Sequence, residues 1–233
     1  MIEHENSTNY RLGKFAGAIT LIGTLISGPI TFLAVSEIKP QPEWISAQVY
    51  VDNYHPIQSI TFYFGFLLIL GSVMMIAFIH SKQKSLKSLL AVIFTAIGAG
   101  LISFNYSTEA TIIPALVRNY SSELDPIIRI LSVTNPYSIF WSIEMWGYGF
   151  LGLGTLLSMG YFGDQSVEKW AKALFLANGI LSCVGALITG IYVEWVLSTV
   201  GLVSYALWNV LYMVLAILFL LVVTRRAKEK VTE

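Results

Sequence analysis

Long apolar runs alternate with short polar segments along the chain. A helix needs about 20 mostly apolar residues to cross the hydrocarbon core of a bilayer. Six segments reach about that length without a Lys or Arg inside them, and each predicts a transmembrane helix. The predicted spans are 15–35, 57–79, 89–108, 137–162, 174–192 and 202–223. We therefore predict an all-α fold, with residues 1–233 forming a single transmembrane domain built as a bundle of six helices.

The first span also has some features of a signal peptide. Its apolar stretch is longer than the roughly 7–15 residues of a signal-peptide core, and Thr20, Thr24 and Ser27 interrupt it. We predict that this helix is retained, with cleavage near Ser36 as the alternative.

The Lys and Arg residues between the spans predict the orientation, because cytoplasmic loops carry an excess of them. With the N-terminus inside, eleven of the 14 lie on the cytoplasmic side and three, Lys39, Arg118 and Arg129, lie outside. Both termini are therefore predicted to be cytoplasmic. The inner connections near 81–88 and 163–171 are short and predict tight antiparallel hairpins. The charged segment 225–233 is interpreted as a solvated helix end at the lipid headgroups.

The composition agrees with a membrane location. Hydrophobic residues make up 55% of the chain and charged residues 12%, against about 25% charged residues in soluble domains. The 14 basic and 14 acidic residues balance, so we predict the lipid bilayer and no nucleic acid as partner. The single cysteine, Cys183, excludes an intramolecular disulfide framework. The oligomeric state stays open.

The outer loop between the third and fourth spans keeps apolar character. We expect the third helix to continue past Thr108 and to kink near Pro114, followed by a short helix on the membrane surface. Asn135 and Pro136 predict the N-cap and first turn of the fourth helix.

Small and polar residues recur at three- and four-residue steps in each span, which places them on one face. Such residues mark packing faces in lipid. Glu144 stands out because it lies about two turns, or about 11 Å, into the fourth span. A carboxyl group at that depth is costly and is by default a functional-site hypothesis. The alternative is a structural, hydrogen-bonded acid near the outer interface.

Other polar residues lie at a similar depth on these faces. We predict an outward-facing cavity with an aromatic wall, in which two carboxylates bind a small cationic or apolar molecule or carry a proton. The predicted binding residues are Glu144, Glu109, Asn105, Tyr205, Asn209, Tyr212, Tyr192 and Asn178. No metal and no cofactor are predicted, because His4, His55 and His80 lack the spacing of metal or haem ligands.

Two alternatives to binding or transport stay open. The first is a membrane-embedded enzyme acting on a lipid or isoprenoid, with Glu144 as general acid or base and aromatic walls that stabilise a carbocation. The second is a non-catalytic partner or regulator of another membrane protein. No catalytic residue is assigned, so enzymatic activity stays undecided.

Several short patterns lie in the middle of the chain: Asn105-Tyr106 followed by Pro114, then Asn135-Pro136, the run Ile143-Glu-Met-Trp-Gly-Tyr-Gly149, and Asn178-Gly179. In these patterns the chain resembles a group of small, uncharacterised multi-pass membrane proteins of bacteria. The resemblance implies location in the inner (plasma) membrane of a bacterial cell. It directs interest to Asn105, Glu144 and Asn178, and implies neither a substrate nor a mechanism.

Overall fold

The structure is a computed structural model that describes residues 2–41 and 43–229. The predicted all-α class is confirmed, since the chain is 88% helical and the described residues contain no strand. The α-helices of the described part are α1 Ile2–Leu25, α2 Thr31–Ile38, α3 Ala47–Asn53, α4 Ile60–Gln83, α5 Leu86–Ser107, α6 Ile113–Arg118, α7 Asp125–Leu131, α8 Ile139–Ser158, α9 Ser166–Ile191 and α10 Thr199–Glu229.

Five helical stretches in the described part are long and apolar enough to cross a membrane, as expected for a multi-pass membrane protein. They are Tyr10–Ile38, Pro56–Gln83, Leu86–Arg118, Ser166–Ile191 and Thr199–Glu229. The fourth predicted span corresponds to α8, which is not among the five. The 20 residues of this helix include Glu144, two tryptophans and four glycines.

The six long helices form a closed ring in which each packs against two others. Helix α8 packs between α5 and α9, α4 between α1 and α5, and α10 between α1 and α9. Buried aromatic side chains fill the interior, among them Phe62, Phe78, Phe140, Phe175 and Phe219. The predicted tight hairpins are confirmed, because α4–α5 and α8–α9 are packed neighbours joined by short connections.

Two of the apolar stretches contain a π-helical segment close to a proline. Pro29 lies inside the segment Ile26–Ile30, and Pro114 follows two residues after the segment Thr108–Ile112. Proline lacks a backbone N–H, so it leaves carbonyl groups of the preceding turn without their helical donor. The prediction that the third helix continues past Thr108 is confirmed, because the helical stretch runs to Arg118.

Helices α3, α6 and α7 form a small cap at the end of the bundle where the stretch Leu86–Arg118 ends. The cap has its own buried apolar cluster, made of Ala47, Tyr50, Ile113 and Ile128. Helix α7 is the short helix expected between the third and fourth spans.

The predicted N-cap of the fourth helix is wrong. Helix α8 begins at Ile139, with Ser138 at the N-cap. Asn135 instead closes a turn: its Nδ2 donates to the Arg129 carbonyl at 2.6 Å, and its Oδ1 accepts from the Tyr137 N–H at 3.1 Å. An asparagine side chain satisfies backbone groups in turns as well as in caps.

Candidate functional site

The centre of the candidate site is the Glu144 carboxyl group on α8, which is only 5% exposed. Asn105 on α5 donates from Nδ2 to Glu144 Oε2 at 3.2 Å and to the Phe140 carbonyl at 2.7 Å. One amide group therefore holds both the carboxyl group and the backbone of the preceding turn of α8.

Close packing of α5 on α8 places these two side chains opposite each other. A Cβ atom added at Gly98 would lie 2.5 Å from the Gly147 carbonyl oxygen, so only glycine fits there. Asn105 lies seven residues further along α5, and Phe140 lies seven residues back along antiparallel α8. Seven residues are about two helical turns, so the glycine contact sets the register that pairs Asn105 with Phe140 and Glu144.

Two tyrosines complete the surroundings of the carboxyl group. Tyr106 and Tyr148 share a hydrogen bond of 2.8 Å between their hydroxyl groups, and both side chains lie close to Glu144. Within the described part of the chain, Asn105 thus donates the hydrogen bond to Glu144, and two phenols lie beside it. No basic side chain neutralises it by an ion pair there.

An aromatic and amide network continues from Tyr148 to other predicted residues. Trp208 packs on Tyr148 with ring centroids 4.8 Å apart and stacks on Tyr212 at 5.0 Å. Its Nε1 donates to Asn178 Oδ1 at 3.0 Å, and Asn178 Nδ2 donates to Thr155 Oγ1 at 3.0 Å. The Tyr212 hydroxyl lies 2.7 Å from the Ser72 hydroxyl on α4. The network thus connects α4, α8, α9 and α10.

The second predicted carboxylate has different partners. Glu109 is 1% exposed, and its Oε1 accepts from the Val133 backbone N–H at 2.8 Å. Trp141 Nε1 donates to the Val133 carbonyl at 2.8 Å, so both backbone groups of Val133 are held. Glu109 therefore fastens the loop that leads into α8. Tyr50 of the cap lies nearby, and burial, followed by the charge of Glu109, raises the pKa of its hydroxyl well above the ordinary value of 10.

The other predicted residues are spread over the bundle. Tyr205 is 45% exposed but lies close enough to Glu144 for an electrostatic interaction. Asn209 is buried; its Nδ2 donates to the Tyr205 carbonyl at 2.9 Å and its Oδ1 faces Gly28 in the π-helical segment of the first stretch. Tyr192 is 55% exposed at the end of α9. The structure therefore brings together Asn105, Glu144, Asn178 and Tyr212. Tyr205 and Glu109 lie further out, within range of an electrostatic interaction with Glu144.

Sequence reasoning left Tyr106, Tyr148 and Trp208 out of the predicted site. Tyr148 lies four residues after Glu144, and Trp208 lies between Tyr205 and Tyr212 at steps of three and four. The same helical periodicity that selected their neighbours could have found both.

A second polar cluster, at the opposite end of the bundle, was also missed. Glu168 on α9 is 3% exposed and accepts from Arg226 on α10 at 2.7 and 3.1 Å and from Arg225 at 2.5 Å. The Arg226 guanidinium also stacks over the Tyr161 ring, 4.4 Å from its centroid. The interpretation of the segment 225–233 as a solvated helix end is therefore wrong for its two arginines. Residues 230–233 lie outside the described part.

Two pockets of the described part have volumes of about 520 and 600 Å³. None of the predicted binding residues lines either pocket. Among the described side chains there is also no group of three or more His, Cys, Asp or Glu residues that could hold a metal ion.

No known protein-family model, curated protein or solved structure matches the chain.

Proposed function

We propose that the chain is a six-span protein of the bacterial inner membrane that binds or transports a small molecule, with Glu144 as its proton- or cation-binding group. Helix α8 is the sixth span, and both termini face the cytoplasm. The observation that carries the proposal is a carboxyl group buried in a membrane bundle with only uncharged partners.

The uncharged partners are the reason to assign Glu144 a function. A charged side chain within a span is costly unless something compensates its charge. Asn105 donates a hydrogen bond and the two tyrosines lie beside the carboxyl group, but none of them carries a positive charge, so a proton or a ligand cation must supply the compensation. A glutamine would serve a purely structural hydrogen bond without this cost.

The aromatic groups beside Glu144 favour a ligand that is cationic or apolar. The rings of Tyr148, Trp208 and Tyr212 pack in sequence next to the carboxyl group. Aromatic faces attract cations, so a carboxylate and stacked rings together suit an organic cation. Opening of the closed ring of helices would give such a ligand access to Glu144.

Single-cysteine labelling tests the topology. In a Cys183→Ser background, Tyr137→Cys and Asp164→Cys place reporters at the two ends of α8. A membrane-impermeant maleimide should label the cysteine at 137 in intact cells and the cysteine at 164 only after permeabilisation. Equal labelling of the two positions in intact cells would refute a membrane-spanning α8.

Ligand binding to the purified protein tests the function. Thermal unfolding in detergent is measured from pH 4 to 9 with a library of organic cations and apolar metabolites, for wild type and Glu144→Gln. A ligand that binds only the native state raises the melting temperature by mass action. We expect hits whose stabilisation depends on pH in wild type and disappears in Glu144→Gln.

Glu123→Gln is the matched control, because it makes the same chemical change at an exposed position between α6 and α7. It should keep every hit of the wild type. Hits that bind both variants equally would show that the ligand does not use Glu144. For a hit that depends on Glu144, proteoliposomes with an internal pH dye would establish whether the protein moves protons together with that ligand.

The second candidate function is a non-catalytic partner of another membrane protein. It is favoured by the filled surroundings of Glu144, which lines neither described pocket. Under this alternative no small molecule stabilises the protein, and Glu144→Gln is at least as stable as wild type at every pH.

A further inference from the structure

A side-opening groove lies between the start of α4 and the π-helical segment that leads into α6. Its volume is about 600 Å³, within the roughly 300–1,000 Å³ of small-molecule pockets. The groove is lined by Tyr54, Pro56, Ser59 and Tyr63 on one side and by Ala110, Thr111, Pro114, Val117 and Arg118 on the other.

The hydroxyl groups of this groove already have partners within the protein. Pro114 has no N–H, so it cannot donate to the carbonyls of Glu109 and Ala110 in the preceding turn. Ser59 Oγ donates to the Glu109 carbonyl at 3.0 Å, and the Tyr63 hydroxyl donates to the Ala110 carbonyl at 2.8 Å. Tyr54 in turn lies 3.0 Å from Ser59 Oγ. With these hydroxyls occupied, the body of the groove is suited to an apolar group.

The charge of the groove is concentrated at one end. Arg118 is its only charged lining residue, and its exposed side chain forms no ion pair or hydrogen bond with the described residues. It lies eight residues beyond Ala110, which is about 12 Å along a helix. An occupant that fits the groove therefore has an anionic group at one end and an apolar body about as long as this separation.

The groove opens towards the lipid-facing side of the bundle. Tyr63 and Thr111 line the groove and are exposed, although both belong to apolar membrane stretches. A molecule can therefore enter sideways from the bilayer. An arginine and tyrosines at the end of such stretches lie at the depth of lipid phosphate groups.

We propose that this groove is a binding site for an anionic phospholipid, with an acyl chain between α4 and α6 and the phosphate on Arg118. A guanidinium group binds phosphate through paired, charge-assisted hydrogen bonds. The site is separate from Glu144, and neither proposal depends on the other.

Lipid-dependent thermal stability tests the site. The delipidated protein in detergent is titrated with phosphatidylglycerol or with phosphatidylcholine of the same acyl chains. We expect phosphatidylglycerol to bind wild type more tightly, and Arg118→Gln to weaken that binding about tenfold, as expected for the loss of a charge-assisted hydrogen bond. Arg118→Gln should weaken phosphatidylcholine binding less, because the choline group of that lipid already offsets the charge of its phosphate.

Two further variants keep the test specific. Arg129→Gln removes another exposed arginine of the same end of the protein, outside the groove, and should bind like wild type. Val117→Trp fills the groove and should weaken binding of both lipids. The proposal is overturned if Arg129→Gln loses as much affinity as Arg118→Gln, if Val117→Trp binds normally, or if glycerol phosphate alone stabilises wild type as well as the lipid does.

Discussion

The hydrogen bond from Tyr63 to the Ala110 carbonyl gives the sharpest stability prediction. Because Pro114 cannot donate to this carbonyl, the Tyr63 hydroxyl, at 2.8 Å, is its replacement donor. Tyr63→Phe removes the hydroxyl and leaves the carbonyl unpaired in apolar surroundings. An unpaired buried group costs about 1–3 kcal/mol, whereas single interhelical hydrogen bonds in membranes contribute about 0.6–1.7 kcal/mol. We therefore expect a loss of about 1–2 kcal/mol in the free energy of unfolding.

A double-mutant cycle isolates the cause. Pro114→Ala restores an N–H that can donate within the helix, so Tyr63→Phe should cost less than about 0.5 kcal/mol in that background. The coupling energy between the two positions should therefore be about 1 kcal/mol, as expected for groups that share a partner.

The assay is reversible unfolding in mixed micelles of a mild detergent and sodium dodecyl sulfate, without added lipid. Tyr192→Phe is the matched control, since Tyr192 is as exposed as Tyr63 but its hydroxyl forms no hydrogen bond with the described residues; it should change stability by no more than about 0.5 kcal/mol. Equal costs of Tyr63→Phe with and without Pro114 would refute the reasoning, because the hydroxyl would then not replace the missing proline donor.

Two further predictions concern helix packing and the inner ion pair. In the same unfolding assay, Gly154→Ala should destabilise the protein by about 1–3 kcal/mol, because the added Cβ would overlap a side-chain oxygen of α5. The control is Gly100→Ala, which has open space around the added Cβ and should be neutral or slightly stabilising. Arg226→Lys should lower the free energy of unfolding by about 1–2 kcal/mol, because lysine cannot reproduce the paired hydrogen bonds to Glu168. Lys172→Gln, an exposed change nearby, should have no measurable effect. An equal loss of stability in both variants would contradict the role of the ion pair.

Apolar runs were sufficient to predict the long helices, because whether a segment is long and apolar enough to span depends only on the residues of that segment. Helix α8 is the exception: it was predicted as a span, but it is not among the five apolar stretches. It lies between α5 and α9, and its glycines pack against these two helices instead of lipid, so it can contain a carboxyl group and four glycines. Its membrane-spanning status stays a prediction.

Partner choice could not be predicted in the same way. The sequence placed Glu109 and Glu144 on inward faces, but the Val133 N–H lies 24 residues from Glu109 along the chain. Glu168 and Arg226 are 58 residues apart, and only the folded bundle brings them together. Helical periodicity predicts which face a residue occupies, and not which residue lies opposite it.

The polar and small residues of α8 have a consequence for the biosynthesis of the protein. A translocon releases a segment into lipid according to its apolar content, so a segment with a carboxyl group and four glycines is a poor substrate when presented alone. Helix α9 follows after a short connection and packs on α8 along its length. The two helices are therefore expected to enter the bilayer together as a hairpin, with α9 supplying the hydrophobicity and α5, synthesised earlier, supplying the partner for Glu144.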